Sequence, residues 1–83
     1  MKVAVRYFAS IREALGPGET VEVAEGSTVG SVRDALIARG GAHAVGLARG
    51  RAIRSALNQV LCDEAAPVGE GAELAFFPPV TGG

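Results

Sequence analysis

Only one stretch of this chain is regular enough to form a helix that covers a sheet, and that limits the layering open to the whole fold. Val29, Val32, Ala35 and Leu36 recur at i, i+3, i+6 and i+7, the spacing of an amphipathic helix. Ser27 or Thr28 stands where an N-cap is needed, and Gly40-Gly41 stops the run. One helix of about three turns covers one face of a sheet but not both. The opposite face must then be exposed or used.

The rest of the chain supplies the sheet. Lys2 to Phe8 alternates, with Val3, Val5 and Tyr7 on one side and Ala4, Arg6 and Phe8 on the other. Ser10 and Glu13 have capping-box spacing ahead of a short helix through Ile11, Ala14 and Leu15, which Gly16-Pro17-Gly18 ends. Glu19 to Ala24 alternates again, with Val21 and Val23 inward. Residues 42–51 hint at a helical turn through Ala44, Val45, Leu47 and Ala48. Ala52 to Leu57 and Val60 to Cys62 read as strands around a tight Asn58-Gln59 turn. Val68 plugs the core before the turn Gly69-Glu70-Gly71, and Glu73 to Phe77 is the last strand. The order β-α-β-α-β-β-β predicts an α+β fold, a mixed sheet of about five strands covered on one face by the main helix. It resembles the β-grasp of ubiquitin-like proteins.

At 83 residues the expectation is one domain, 1–83, with a projecting tail over 78–83. A net charge of −1 makes no field to gather a polyanion, which argues against nucleic acid. No apolar run reaches the roughly 18 residues of a membrane span, and Arg6 interrupts the first one. Cys62 is the single cysteine, so no intrachain disulfide can form; it reads as a small strand residue, and a reducing cytoplasm is the expected compartment. His43, with no second ligand nearby, reads as a solvated loop residue. Arg49, Arg51 and Arg54 read as a basic rim exposed to solvent.

The four aromatic residues, Tyr7, Phe8, Phe76 and Phe77, sit in pairs near the two chain ends. If the first and last strands are neighbours, Val3, Val5 and Tyr7 join Leu74 and Phe76 beneath the helix. Arg6, Phe8 and Phe77 are then left on the open face. Burying a phenylalanine is worth about 1.5–3 kcal/mol, so two of them on an uncovered sheet mark a docking surface. The alternative is that segment 42–51 covers one of them.

Beyond Phe77 the chain reads Pro78-Pro79-Val80-Thr81-Gly82-Gly83. The prolines stiffen the exit from the strand into an extended arm. Gly82 and Gly83 lack a Cβ, which lets their backbone approach a partner's wall closely. The group such an arm delivers is the α-carboxylate of Gly83. Phe-Phe-Pro-Pro-Val-Thr-Gly-Gly resembles the C-terminal signature of the small, sulfur-carrying subunits of molybdopterin synthase, relatives of ubiquitin, and a looser likeness runs over the full length.

That resemblance implies a cycle in which an adenylating enzyme, similar to ubiquitin-activating enzymes, uses ATP to charge Gly83. A sulfur donor system then converts the adenylate to a thiocarboxylate. The large synthase subunit, in a heterotetramer, would admit the tail and direct its sulfur onto a cyclic pterin precursor. Gly82 would be the slim neighbour, Val80 and Thr81 would line the channel, and Phe8, Phe77, Pro78 and Pro79 would belong to the interface. The chain would bind no cofactor or metal and contribute no catalytic side chain. Rival readings are a sulfur carrier for thiamine thiazole synthesis, a ubiquitin-like modifier joined through Gly83 to target lysines, and a plain interaction domain.

Overall fold

The computed structural model describes residues 1–79. In chain order it contains β1 (Lys2–Tyr7), α1 (Ala9–Leu15), β2 (Gly18–Glu22), α2 (Val29–Ile37), α3 (Gly41–Gly46), β3 (Arg54–Leu57), β4 (Val60–Cys62) and β5 (Glu73–Phe77). The strands form one sheet in the order β2-β1-β5-β3-β4. β1 and β5 run parallel and the other neighbours antiparallel, so the sheet is mixed, as expected. No helix among the described residues is long and apolar enough to cross a membrane.

Adjacency of β1 and β5 sorts the side chains as period-two geometry requires. Val3, Val5, Tyr7, Leu74 and Phe76 are completely buried, together with Val29, Val32 and Leu36 of α2, Ile11 of α1, Leu47 and Val68. Each such aliphatic or aromatic side chain contributes about 1.5–3 kcal/mol of burial, so this two-layer core dominates the fold. The β3–β4 turn forms at Asn58 and Gln59, both with positive φ (49° and 68°), the geometry of a type I′ hairpin. Asn58 also ties that hairpin to β5: its N–H donates to the Glu73 carbonyl (2.8 Å), and its Oδ1 accepts from the Glu73 N–H (3.0 Å).

Thr28, rather than Ser27, caps α2. Its hydroxyl accepts from Ser31 N–H (3.2 Å), while the Ser31 hydroxyl accepts from Thr28 N–H (2.8 Å). The next two amides, of Val29 and Gly30, donate to the carbonyls of Ala66 (3.0 Å) and Glu64 (2.9 Å). Glycine at position 30 eases this approach, because a Cβ there would lie 3.1–3.2 Å from Glu64, closer than ordinary van der Waals contact.

Several expectations need correction. Ser10 does not cap α1; Phe8 occupies the N-cap, with no side-chain cap bond. The reason is that Phe8 N–H still pairs with the Phe76 carbonyl (3.2 Å), so the chain leaves the sheet only at Ala9, where φ is +52°. Ala35 is exposed and Arg33 is buried. An i+6 residue points about a third of a turn away from the stripe, whereas i+4 lies on it, and α2 buries Val29, Val32, Arg33 and Leu36.

Arg33 organises the segment that was least legible. Its Nε donates to the Leu47 carbonyl (2.9 Å), its Nη2 to those of Ala48 (2.7 Å) and Arg51 (3.3 Å), and its Nη1 to Glu64 (2.7 Å). Residues 41–46 form α3, which packs against α1 and α2 rather than over Phe8 or Phe77. His43 is therefore not a solvated loop residue. It lies on α3, half-buried, with Nε2 2.7 Å from Glu19 and its ring edge-on to Tyr7 at 6.5 Å. Nor do the three arginines form one rim: Arg49 pairs with Asp34 and Glu64 on α2's flank, while Arg54 lies on β3 opposite Phe77.

Candidate functional site

The open face of the sheet follows from register. Arg6 lies opposite Ala75, Ala75 opposite Ala56, and Ala56 opposite Leu61; one step along, Arg54 lies opposite Phe77. Directly paired residues share a face. A row of small apolar groups therefore crosses three strands and ends at Leu61, with guanidinium groups at its margins. Arg6, Phe8, Gln59, Glu73, Ala75 and Phe77 line a shallow recess there. Phe8 is 41% exposed and Leu61 67% exposed, so this is apolar surface in water. The sequence reading brought Arg6, Phe8 and Phe77 together correctly. It missed Leu61, although the two-residue turn at Asn58-Gln59 fixes the register that puts Leu61 on this face.

The tail begins at the edge of the same surface. Phe77, Pro78 and Pro79 are each half-buried. Pro78 also borders a second recess, with Ser10, Ile11, Gly46, Arg51 and Ile53 on its walls. The tail root thus stands between the open face and the α1–α3 side of the body. Val80, Thr81, Gly82 and Gly83 lie outside the described residues.

The charges at the open face suit docking rather than covalent chemistry. Arg6 pairs with Glu73 at 3.7 Å across an exposed gap, a contact of small energetic weight. The strongly perturbed groups lie elsewhere. Glu19 on β2 accepts from Tyr7 Oη (2.8 Å), His43 Nε2 (2.7 Å) and Arg39. Partial burial works against its charge, but the bonds from His43, Arg39 and Tyr7 outweigh that and bring its pKa down to about 2. Burial, reinforced by the Glu19 carboxylate, lifts the Tyr7 phenol well above its usual range. This cluster stitches β1, β2, the turn after α2 and α3 together on the covered side of the sheet. Among the described residues no group of three or more His, Cys, Asp and Glu is placed to hold a metal ion.

Residues 5–83 match the ThiS family. The chain belongs to this family. It is 38% identical over 81 residues to the molybdopterin synthase sulfur carrier subunit of Escherichia coli (strain K12), covering 98% of this chain and 99% of that one. The protein of the same name from Mycobacterium tuberculosis is 36% identical over 88 residues, with 100% and 99% covered. Among solved structures, small archaeal modifier protein 1 of Haloferax volcanii superposes with a TM-score of 0.77 at 28% identity, covering 95% of this chain and 98% of that one. A chain from the complex of subunits 1 and 2 of molybdopterin-converting factor from Helicobacter pylori 26695 gives 0.69 at 28% identity, with both chains fully covered. The fold of this family member is the ubiquitin-like β-grasp that the strand and helix order led us to expect.

Proposed function

We propose that this chain is the sulfur carrier subunit of a molybdopterin synthase. The observation that carries the reading is the double membership of Phe77: it lies on the exposed apolar face and is the last strand residue before the tail. A partner gripping that face has the tail root beside its contact. The near full-length likeness to proteins named molybdopterin synthase sulfur carrier subunit supports the same assignment.

The chemistry starts from a carboxylate, ionised at neutral pH with a reference pKa of about 3.3–3.7 and therefore a poor electrophile. An adenylating partner joins the Gly83 carboxylate to the α-phosphate of ATP and releases pyrophosphate. A sulfur donor displaces AMP from the acyl adenylate and leaves a thiocarboxylate. A large synthase subunit, docked on Phe8 and Phe77, takes in the arm from Pro78 to Gly82, and the tail sulfur attacks a cyclic pterin precursor. Pro78 and Pro79 hold the arm extended, Val80 and Thr81 line the partner's channel, and the glycines pass its narrow end. The chain itself acts as a substrate-like donor in this cycle, with catalysis and ATP binding residing in its partners.

The likeness to a small archaeal modifier protein favours one second reading, in which the same activated Gly83 is joined to lysines of other proteins. Incubation with ATP, an adenylating enzyme and a sulfur source, followed by intact mass measurement, separates the two. A carrier gains the mass of one oxygen replaced by sulfur, whereas a modifier appears as adducts on other proteins. Appending one residue after Gly83 should abolish sulfur loading with the fold intact; full loading of the extended chain would rule out terminal-carboxylate chemistry.

A further inference from the structure

The turn between β3 and β4 contains one residue that the fold does not account for. Asn58 and Gln59 both have positive φ (49° and 68°), and a type I′ turn strongly favours Asn-Gly at these two positions. Asn58 suits its place: asparagine enters the left-handed region more readily than most residues, and both its main-chain N–H and its side-chain oxygen are bonded to Glu73. Gln59 has neither property. It is exposed, and among the described residues its side-chain amide makes no hydrogen bond. A side chain kept in a costly backbone conformation, with no bond inside the fold, points to a use outside it.

Gln59 stands at one end of the open-face recess. Glu73, Ala75 and Phe77 lie on the same side of β5 as alternate residues of one strand. The recess follows them from Gln59, Arg6 and Glu73 at one end to Phe8 and Phe77 at the other. From Glu73 to Phe77 the strand covers about 13 Å, at roughly 3.3 Å per residue. One end is therefore polar, and the other is aromatic and adjoins the tail root. Arg6 and Glu73 face each other at 3.7 Å, so their charges largely offset. Gln59 is left as the group there with unused donors and an unused acceptor.

We propose that Gln59 is a specificity-determining contact of the docking face: its amide hydrogen-bonds an uncharged amide or hydroxyl group of the large subunit, whose apolar residues cover Phe8 and Phe77. The proposal rests on the assignment of the open face to that subunit. Apolar contact at Phe8 and Phe77 alone is non-directional. A hydrogen-bonded contact at the far end of the recess fixes the angle at which the partner sits, and with it the line along which the tail leaves Phe77. The partner group is uncharged because Arg6 and Glu73 already pair, so a charge of either sign brought to this end meets one of them as a like charge.

The test is a calorimetric titration of the full chain with the large synthase subunit, alongside urea unfolding of each variant. Gln59→Gly removes the amide and relaxes the positive φ. It should raise the urea midpoint while weakening binding about two- to twelvefold, the range of one neutral hydrogen bond. Gln59→Glu keeps the shape, loses the donors and adds a charge, and should weaken binding at least as much. Stability and binding moving in opposite directions mark a partner contact, because a residue that serves the turn alone would leave binding unchanged. Wild-type affinity in either Gln59 variant, with Phe8→Ala weakened, would overturn the role of Gln59 and leave the docking face standing. Wild-type affinity in Phe8→Ala and Gln59→Gly alike, or no binding of the large subunit at all, would overturn both. A lowered urea midpoint in Gln59→Gly would assign Gln59 to the fold and overturn the proposal. So would self-association of the free chain that Gln59→Gly abolishes, because a second copy would then cover the recess.

Discussion

Replacing Arg33 with methionine isolates the one buried cation of the described residues. Methionine keeps an unbranched stem of similar reach but removes every donor, leaving the carbonyls of Leu47, Ala48 and Arg51 and the carboxylate of Glu64 without this partner. A hydrogen bond from a charged donor is worth about 1.5–3 kcal/mol. Two of the four count for little: Arg51 is exposed and its bond is long, at 3.3 Å, and Glu64 is 38% exposed and keeps Arg49. The carbonyls of Leu47 and Ala48 are sheltered, so the loss should be about 3–5 kcal/mol, a large part of the stability of a small domain. At about 4–8 °C per kcal/mol for a chain of this size, the Tm should fall by roughly 12–40 °C. Urea unfolding followed by far-ultraviolet circular dichroism gives the energy, and amide exchange gives its location, which should be α3 and residues 47–51. A loss below about 1 kcal/mol, or α3 amides as protected as before, would refute the idea that Arg33 anchors this segment.

The other expected outcomes concern pH and docking. Glu19 titrates near 2 in the folded chain against an ordinary 4.5, so its contribution is complete above 4.5 and is lost as pH falls toward 2. Arg49, against partial burial and with help from Arg33, lowers the Glu64 pKa, which adds an acid loss of the same sign. The urea midpoint should therefore drop between pH 5 and pH 2.5, and Glu19→Gln should flatten that drop; an unchanged slope would remove Glu19 from the account. Phe8 keeps 41% of its surface exposed for a partner to bury, which scales the 1.5–3 kcal/mol of a whole side chain to about 0.6–1.2 kcal/mol. Phe8→Ala should thus weaken large-subunit binding about 3–8-fold by calorimetry. Phe77→Ala should weaken it more than it lowers the Tm; a large stability loss with unchanged binding would assign Phe77 to the core.

The sheet was legible because its signals are local and redundant. Val3, Val5 and Tyr7 alternate with polar neighbours, Asn58-Gln59 tolerates positive φ, and the pairs Tyr7-Phe8 and Phe76-Phe77 each place one ring inward and one outward. Segment 42–51 was the least legible, because its conformation is dictated from outside by Arg33. A charged residue on a helix reads as solvent-facing until its acceptors are known, and those are main-chain carbonyls, which leave no trace in side-chain pattern. His43 was misplaced for a related reason, since its partner Glu19 is 24 residues away. Leu61 could have been assigned to the open face by following the hairpin register one residue further.

The strand in the middle of the sheet is the last of the described strands in chain order. β5 lies between β1 and β3, and without it the β1–β2 and β3–β4 hairpins share no ladder. A ribosome must therefore pass Phe77 before either half can lock onto the other, and folding waits on pairings that span most of the chain. Any product stopped short of that point keeps its two hairpins apart and exposes Val5, Tyr7 and Ser55 along their unjoined edges. Completion of the sheet and emergence of the segment after it are thereby coupled in time.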